Sequence, residues 1–285
     1  MGVEAPHLGD SGDVTQQAGI PAASVPALAV TDRRVRMIAR LDVKGTNLIK
    51  GIHLEGLRRV GSPVEFARRY YDLGIDEILF MDVVASLYGR NQLLEIVRET
   101  AEHVFAPITV GGGVRSVADF EALLRSGADK VALNTEATKN PLLLKELALR
   151  FGSQSVVLSI EALRVAPGKW ETLTDNGRER TGRDVIAWVQ EAADLGVGEA
   201  LITSIDKEGT GSGFDVDLMR EVAECVNIPV IASGGMGSVH DFVALASTVD
   251  VNGIAIADAL HYNRVTLDEI RAAARGMGLD VRSRV

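Results

Sequence analysis

From Val35 onward the chain alternates short, continuous apolar runs with longer stretches in which apolar residues recur every three or four positions. The runs predict strands at residues 37–43, 77–83, 108–110, 130–134, 155–160, 199–203, 229–232 and 253–257. The stretches between them predict helices near residues 63–73, 91–104, 117–126, 141–151, 183–195, 215–225 and 239–246, with a last one near 267–277. Eight strands alternating with eight helices over about 250 residues predict a (β/α)8 barrel. An open doubly wound sheet also alternates, but it does not predict halves that repeat.

This chain does repeat. Residues 107–132 read PITVGGGVRSVADFEALLRSGADKVA and residues 229–255 read PVIASGGMGSVHDFVALASTVDVNGIA. Pro107/Pro229, Gly112/Gly234, Gly113/Gly235, Ser116/Ser238, Asp119/Asp241, Phe120/Phe242 and Leu123/Leu245 coincide at a constant displacement of 122 residues. The same displacement relates Gly74–Glu77 to Gly196–Glu199, and Asp42 at the end of the first strand corresponds to Glu161 at the end of the fifth. Two four-strand halves follow, near residues 36–150 and 155–285. Each copy runs from a strand through a glycine turn into a helix N-terminus, where free backbone N–H groups and the positive end of the helix dipole suit an anion such as phosphate. Glycines that only permit a tight turn are the plainer account of either copy alone.

Composition narrows the classes. With 285 residues, 46% hydrophobic and 24% charged, the chain has the balance of an ordinary globular protein. A net charge of -9 and a pI near 5.1 argue against a broad nucleic-acid or anionic-membrane surface. Cys225 is the sole cysteine, which rules out an intramolecular disulfide and fits a reducing cytoplasm. Residues 1–33 are rich in Gly, Ala, Pro and Ser without a sustained period, and are expected to form a disordered extension. They lack the basic start and apolar core of a secretory signal. The histidines show no ligand spacing, so neither a metal nor a cofactor is expected.

In such barrels chemistry sits on the loops at the C-terminal ends of the strands. That selects Asp42, Lys44 and Lys50, then Asp82 and Ser86, Gly111 to Gly113, and Asn134 with Thr135. From the second half it selects Glu161, the run Thr203 to Gly209, Ser233 to Gly235, and Ala257 with Asp258. Asp42 and Glu161 are carboxylates at opposite points of the mouth, placed to share acid and base work. Each taken singly also fits a helix cap or a loop hydrogen-bonder. At the other face Arg36, Glu77, Lys130 and Glu199 begin their strands, and from physics alone they read as an ion cluster that plugs the floor.

Taken together, the strings LDVKGTNLIKG, DEILFMDVVAS, PITVGGGVRS, GADKVALNT, FGSQSVV, GEALITSIDKEGT and PVIASGG resemble the cyclase subunit of imidazole glycerol phosphate synthase, from about Arg36 to Arg282. The resemblance implies a half-repeat barrel that takes ammonia from a separate glutaminase subunit. With it, the enzyme turns a bis-phosphorylated ribulosyl formimino-carboxamide nucleotide into imidazole glycerol phosphate and aminoimidazole carboxamide ribotide. It implies catalytic Asp42, an active-site Lys50, one phosphate site on Gly113, Asn134 and Thr135, and another on Gly209, Gly235 and Ala257. It also gives Arg36, Glu77, Lys130 and Glu199 a second meaning as an ammonia gate facing the glutaminase.

Four departures stand out. Glu161 replaces the family's second catalytic aspartate, a shift of about one methylene in a geometry that tolerates little misplacement. Arg40 replaces a cysteine, Glu208 an aspartate near the second phosphate, and Asp258 a small serine that helps bind it. A carboxylate beside a phosphate needs an offsetting cation, for which Arg40 is the sequence candidate. These departures keep open a paralogue that uses channelled ammonia on another phosphorylated substrate, and a barrel that only binds a partner is a third class. The primary expectation is ammonia attack on a ketone, dehydration, ring closure and elimination, with Asp42 and Glu161 sharing the proton transfers.

Overall fold

In strand β1 (Arg36–Lys44) Met37, Ala39, Leu41 and Val43 are buried, and so are the alternate residues Ile38, Arg40 and Asp42. A strand buried on both faces needs cover on both, which a parallel sheet under helices provides. The computed structural model describes residues 1–2, 33–83 and 91–282. The expectation of disorder before the barrel and the candidate Ser86 concern residues outside that range.

The remaining strands are β2 (Asn47–Ile52), β3 (Glu55–Gly61), β4 (Glu77–Asp82), β5 (Ile108–Gly111), β6 (Lys130–Leu133), β7 (Val156–Ala166), β8 (Lys169–Thr174), β9 (Glu179–Asp184), β10 (Glu199–Ser204), β11 (Val230–Ser233) and β12 (Gly253–Ile256). The helices are α1 (Pro63–Asp72), α2 (Asn91–Ala101), α3 (Val117–Arg125), α4 (Thr135–Lys139), α5 (Leu142–Phe151), α6 (Val185–Asp194), α7 (Val216–Cys225), α8 (Val239–Ala246), α9 (Asp258–His261) and α10 (Leu267–Gly276). Eight strands close a parallel ring in the order β1, β4, β5, β6, β7, β10, β11, β12, and β12 pairs back onto β1. The molecule is a (β/α)8 barrel. β1 and β7 lie four places apart round the ring, on opposite sides of the axis.

Period two divides each strand's residues between two cores. Residues such as Met37, Ala39, Leu41, Phe80 and Leu158 belong to the large cluster that also holds Leu144, Trp188 and Phe242 of the helices. Their neighbours Ile38, Leu79, Ala132, Val157, Leu201, Ile231 and Ala255 form a separate cluster from seven of the ring strands. It fills the barrel axis.

The eight ring strands lie where the apolar runs predict them, to within a residue or two, except that β7 continues to Ala166 beyond the expected end at Ile160. Four more strands correct the expected count. β2 and β3 extend β1 as an antiparallel ribbon, and β8 and β9 extend β7 in the same way. They are not apolar runs: β3 is largely exposed, and β9 is the polar sequence ERTGRD. The region predicted as a helix from residue 183 therefore begins as strand, with Asp184 capping α6 through a bond from Ala187 N of 3.0 Å.

The two halves match in detail. Asp119 Oδ2 accepts from Arg115 N at 2.9 Å, and Asp241 Oδ2 accepts from Gly237 N at 2.9 Å, so each carboxylate closes the glycine turn before its helix. Asp129 accepts from Ile108 N as Asn252 accepts from Val230 N, at 2.8 and 2.9 Å. The short helices α4 and α9, absent from the sequence prediction, follow β6 and β12. They start from Asn134 and Ala257 in nearly the same backbone conformation, ψ -81° and -83°. Gly112 and Gly234 have φ of 112° and 93°, and a Cβ on them would lie 2.5 Å from Asp82 O and 2.8 Å from Ser204 O. Glycine is required at both by conformation and by space.

Candidate active site

Inward-facing residues form storeys along the axis. At the floor Glu77 and Glu199 are buried, and each meets both cations of the set. Arg36 Nη1 donates to Glu77 at 2.7 Å and its Nη2 donates to Glu199; Lys130 Nζ donates to Glu77 at 3.0 Å and to Glu199 at 2.8 Å. Thr109 Oγ1 adds a bond of 2.5 Å to Glu77. The four charges are a closed ring, the ion cluster expected of charges that begin the barrel strands. Above it lies the apolar storey of Ile38, Leu79 and their neighbours.

The next storey is polar and buried. Arg40 Nε donates to Asp42 Oδ1 at 2.8 Å, and its Nη1 donates to Thr203 Oγ1 at 2.8 Å and Ser233 Oγ at 3.0 Å. Lys50, carried in from β2, donates to Asp42 Oδ2 at 3.4 Å and to Glu208. Across the axis Glu161 Oε2 accepts from Gly177 N at 2.7 Å and from Asn134 Nδ2 at 3.2 Å. Gly177 belongs to the turn between β8 and β9, so the second ribbon holds this carboxylate in place.

The two carboxyls titrate in opposite directions. Burial alone would raise Asp42, but the charges of Arg40 and Lys50 outweigh it and hold the group at about 2. Burial dominates at Glu161: despite Arg40 and the Gly177 N–H, its carboxyl is pushed up to about 7. His261, whose Nδ1 lies 2.7 Å from Tyr70 Oη, is held down near 4 by burial and adds no charge at neutral pH.

Two cavities open on this storey, one at the glycine turn of each half. The larger, about 370 Å³, is lined by Gly112, Gly113, Asn134, Thr135, Asp175 and Glu161, among others. The smaller, about 20 Å³, is lined by Lys50, Glu208, Gly209, Gly235, Ala257 and Asp258. Arg40 lines both. Every residue selected from the sequence as a candidate for substrate binding thus borders one cavity or the other. Lys44, by contrast, is exposed at the end of β1, and Asp206 bonds Arg164 N at 2.9 Å on the outside of β7.

Two expectations change. Glu208 faces the charge of Arg40 but bonds Lys50, and the cation paired with Asp258 is Arg264, at 2.7 Å, while Arg40 bonds Asp42. The amide N–H groups of Asn134 are engaged with Glu161 and with Leu173 O at 3.0 Å, so what Asn134 offers the larger cavity is chiefly a helix start. Sequence reasoning missed Gly177 and Asp175, although Asn176-Gly177 is a hairpin-turn signal, and Ser159, which the inward parity of Val157 and Glu161 indicates.

Residues 36–266 match the family model described as Histidine biosynthesis protein. Among curated relatives, the imidazole glycerol phosphate synthase subunit HisF of Legionella pneumophila is 64% identical over 208 residues, covering 73% of this chain and 98% of that protein. The HisF subunits of Thermobifida fusca and Mycobacterium tuberculosis are 47% and 48% identical over 253 and 254 residues, covering 87% of this chain and 98% and 95% of theirs. This chain belongs to the HisF family. HisF proteins are the lyase-type cyclase subunits of imidazole glycerol phosphate synthase, in histidine biosynthesis. Among the described residues no helix is long and apolar enough to cross a membrane.

Proposed function

We propose that this chain performs the HisF cyclase reaction on the bis-phosphorylated ribulosyl formimino-carboxamide nucleotide. Ammonia released by a glutaminase subunit docked on the barrel floor is the nitrogen source. The observation that carries the reading is the axial stack: an ionic ring, an apolar storey, then two carboxyls of opposite titration standing between two glycine-turn cavities. Gly113, Asn134 and Thr135 cradle one phosphate; Gly209, Gly235 and Ala257 cradle the other, with Lys50 released to it from Glu208.

The physical properties of the carboxyls divide the labour. A base that titrates near 2 accepts a proton poorly at pH 7, so Asp42 acts mainly by its fixed charge, stabilising the positive nitrogen that forms as ammonia attacks the ketone. A carboxyl near 7 gives and takes protons readily, so Glu161 carries the transfers in attack, dehydration and closure. Arg36, Glu77, Lys130 and Glu199 gate ammonia at the floor, and the apolar storey shields its passage from water and from proton uptake.

The test is turnover of that nucleotide by purified protein with an ammonium salt at mildly alkaline pH, with Asp42→Asn as control. Turnover that is lost in the variant supports the cyclase; folded protein that neither turns over nor binds the nucleotide sinks it.

A further inference from the structure

Arg40 is a fully buried cation of the polar storey whose hydrogen-bonding capacity the described residues do not fill. Parity brings it to the axis between Ile38 and Asp42, and it is 2% exposed. A guanidinium carries five N–H donors in a rigid plane and keeps its proton throughout. Three are used: Nε–H on Asp42, and the Nη1 pair on Thr203 and Ser233. These bonds tie the group to β1, β10 and β11 and fix its plane. Nη2 has no hydrogen-bond acceptor among the described residues, nor is it sealed from solvent as an unpartnered buried atom. A cationic N–H pair that borders two cavities, with no acceptor among the described residues, is placed to donate to a group that enters them.

Position says what that group is. Arg40 alone among the described residues lines both cavities, so a substrate with one phosphate in each must lay its middle across the guanidinium. Neutralising Asp42 does not by itself require an arginine there, since Lys50 already stands at the other carboxylate oxygen. We infer that Arg40 is a catalytic residue of this chain, its Nη2 N–H groups binding the ketone oxygen of the substrate and stabilising the oxyanion formed when ammonia attacks.

The inference rests on the cyclase reading. In the step, the nitrogen lone pair of ammonia forms the C–N bond and the carbonyl π pair moves to oxygen. Asp42 faces the ammonium nitrogen so formed and Arg40 faces the oxyanion. One proton then passes from nitrogen to oxygen by way of Glu161, leaving a neutral carbinolamine and an unchanged enzyme. Opposite charges of the protein thus meet opposite charges of the adduct, in a site already organised before substrate arrives.

The test compares the full chain with Arg40→Ala and Arg40→Lys in ammonium-driven steady-state kinetics, each first shown to be folded by circular dichroism. With Arg40→Ala, kcat falls about 100- to 1,000-fold, the scale of one lost oxyanion donor, while KM moves far less. Added guanidinium at millimolar concentration then restores part of kcat, which a structural role would not produce. Arg40→Lys keeps the charge without the rigid fork and stays at least tenfold below the parent; it also serves as the test if Arg40→Ala does not fold. Turnover of either folded variant within threefold of the parent overturns the inference and leaves the cyclase reading standing. A parent protein without turnover sinks the cyclase reading and this inference with it.

Discussion

Glu161 is a longer side chain than the aspartate implied by the family resemblance, and the residue scale shows what receives it. Its Oε2 sits on the Gly177 N–H and the Asn134 amide, in a place dry enough that burial sets its titration near 7 rather than the usual 4.5. A raised acid stabilises the fold fully below pH 4.5 and loses that contribution as pH rises through 7, about 3 kcal/mol in all. Glutamine keeps an acceptor for Gly177 and carries no charge. Glu161→Gln is therefore expected to melt several degrees above the parent at pH 8.5, with the difference closing at pH 5; equal differences at both pH values would refute the raised titration. Asp42 has the opposite sign: the stability it contributes is lost only as pH falls from 3.8 through about 2. Both carboxyls were legible in sequence because each ends an apolar strand at matching points of a repeat. Arg40 was legible as an oddity, but its three partners lie 2, 163 and 193 residues away, and only ring closure brings the distant two to it.

Among elements, the β2–β3 ribbon carries the strain. His53 and Leu54 form its turn at φ 51° and 63°, a region that favours glycine or asparagine. Contacts across the mouth hold it there: His53 N donates to Glu208 O at 2.8 Å, and Leu54 is buried against Leu173 and Ile205. The turn of the second ribbon meets it, Asn176 Nδ2 lying 3.4 Å from Leu54 O. Lys50 rides on this ribbon, so its seat sets where the lysine points. Gly209 makes the seat close, since with φ 72° a Cβ there would stand 2.4 Å from Gly51 O. Gly209→Ala should push the ribbon off, lowering kcat/KM by about 100-fold while the barrel's melting temperature changes little. A large fall in melting temperature together with normal kcat/KM would show the ribbon to be structural cover instead. Neither ribbon was visible in the apolar pattern, because their residues gain burial from contacts over the mouth and not from one continuous face.

For the whole molecule, the duplication sets the logic of the floor. Glu77 and Glu199 are repeat mates, each beginning a strand after a Gly-x-x-Glu turn, and Arg36 and Lys130 each bridge the two across the barrel floor. Four charges meeting alternately leave the ring neutral, which is what lets two acids stay buried at the end of an apolar axis. The sequence shows these charges because each begins a strand, which brings them to one floor once the barrel closes; which charge bonds which depends on the shear of the barrel, and no local pattern carries that. Lys130→Met breaks the balance and leaves Glu77 and Glu199 sharing Arg36 alone. Since Lys130 is 19% exposed, solvent screens part of the loss, and the expected cost is a fall of a few degrees in melting temperature. If the ring gates ammonia from a glutaminase, the same variant should cut glutamine-driven turnover in the two-subunit complex at least tenfold more than turnover driven by an ammonium salt, which reaches the mouth directly. Equal losses by the two routes would make the ring a structural plug and remove the gate from the proposal.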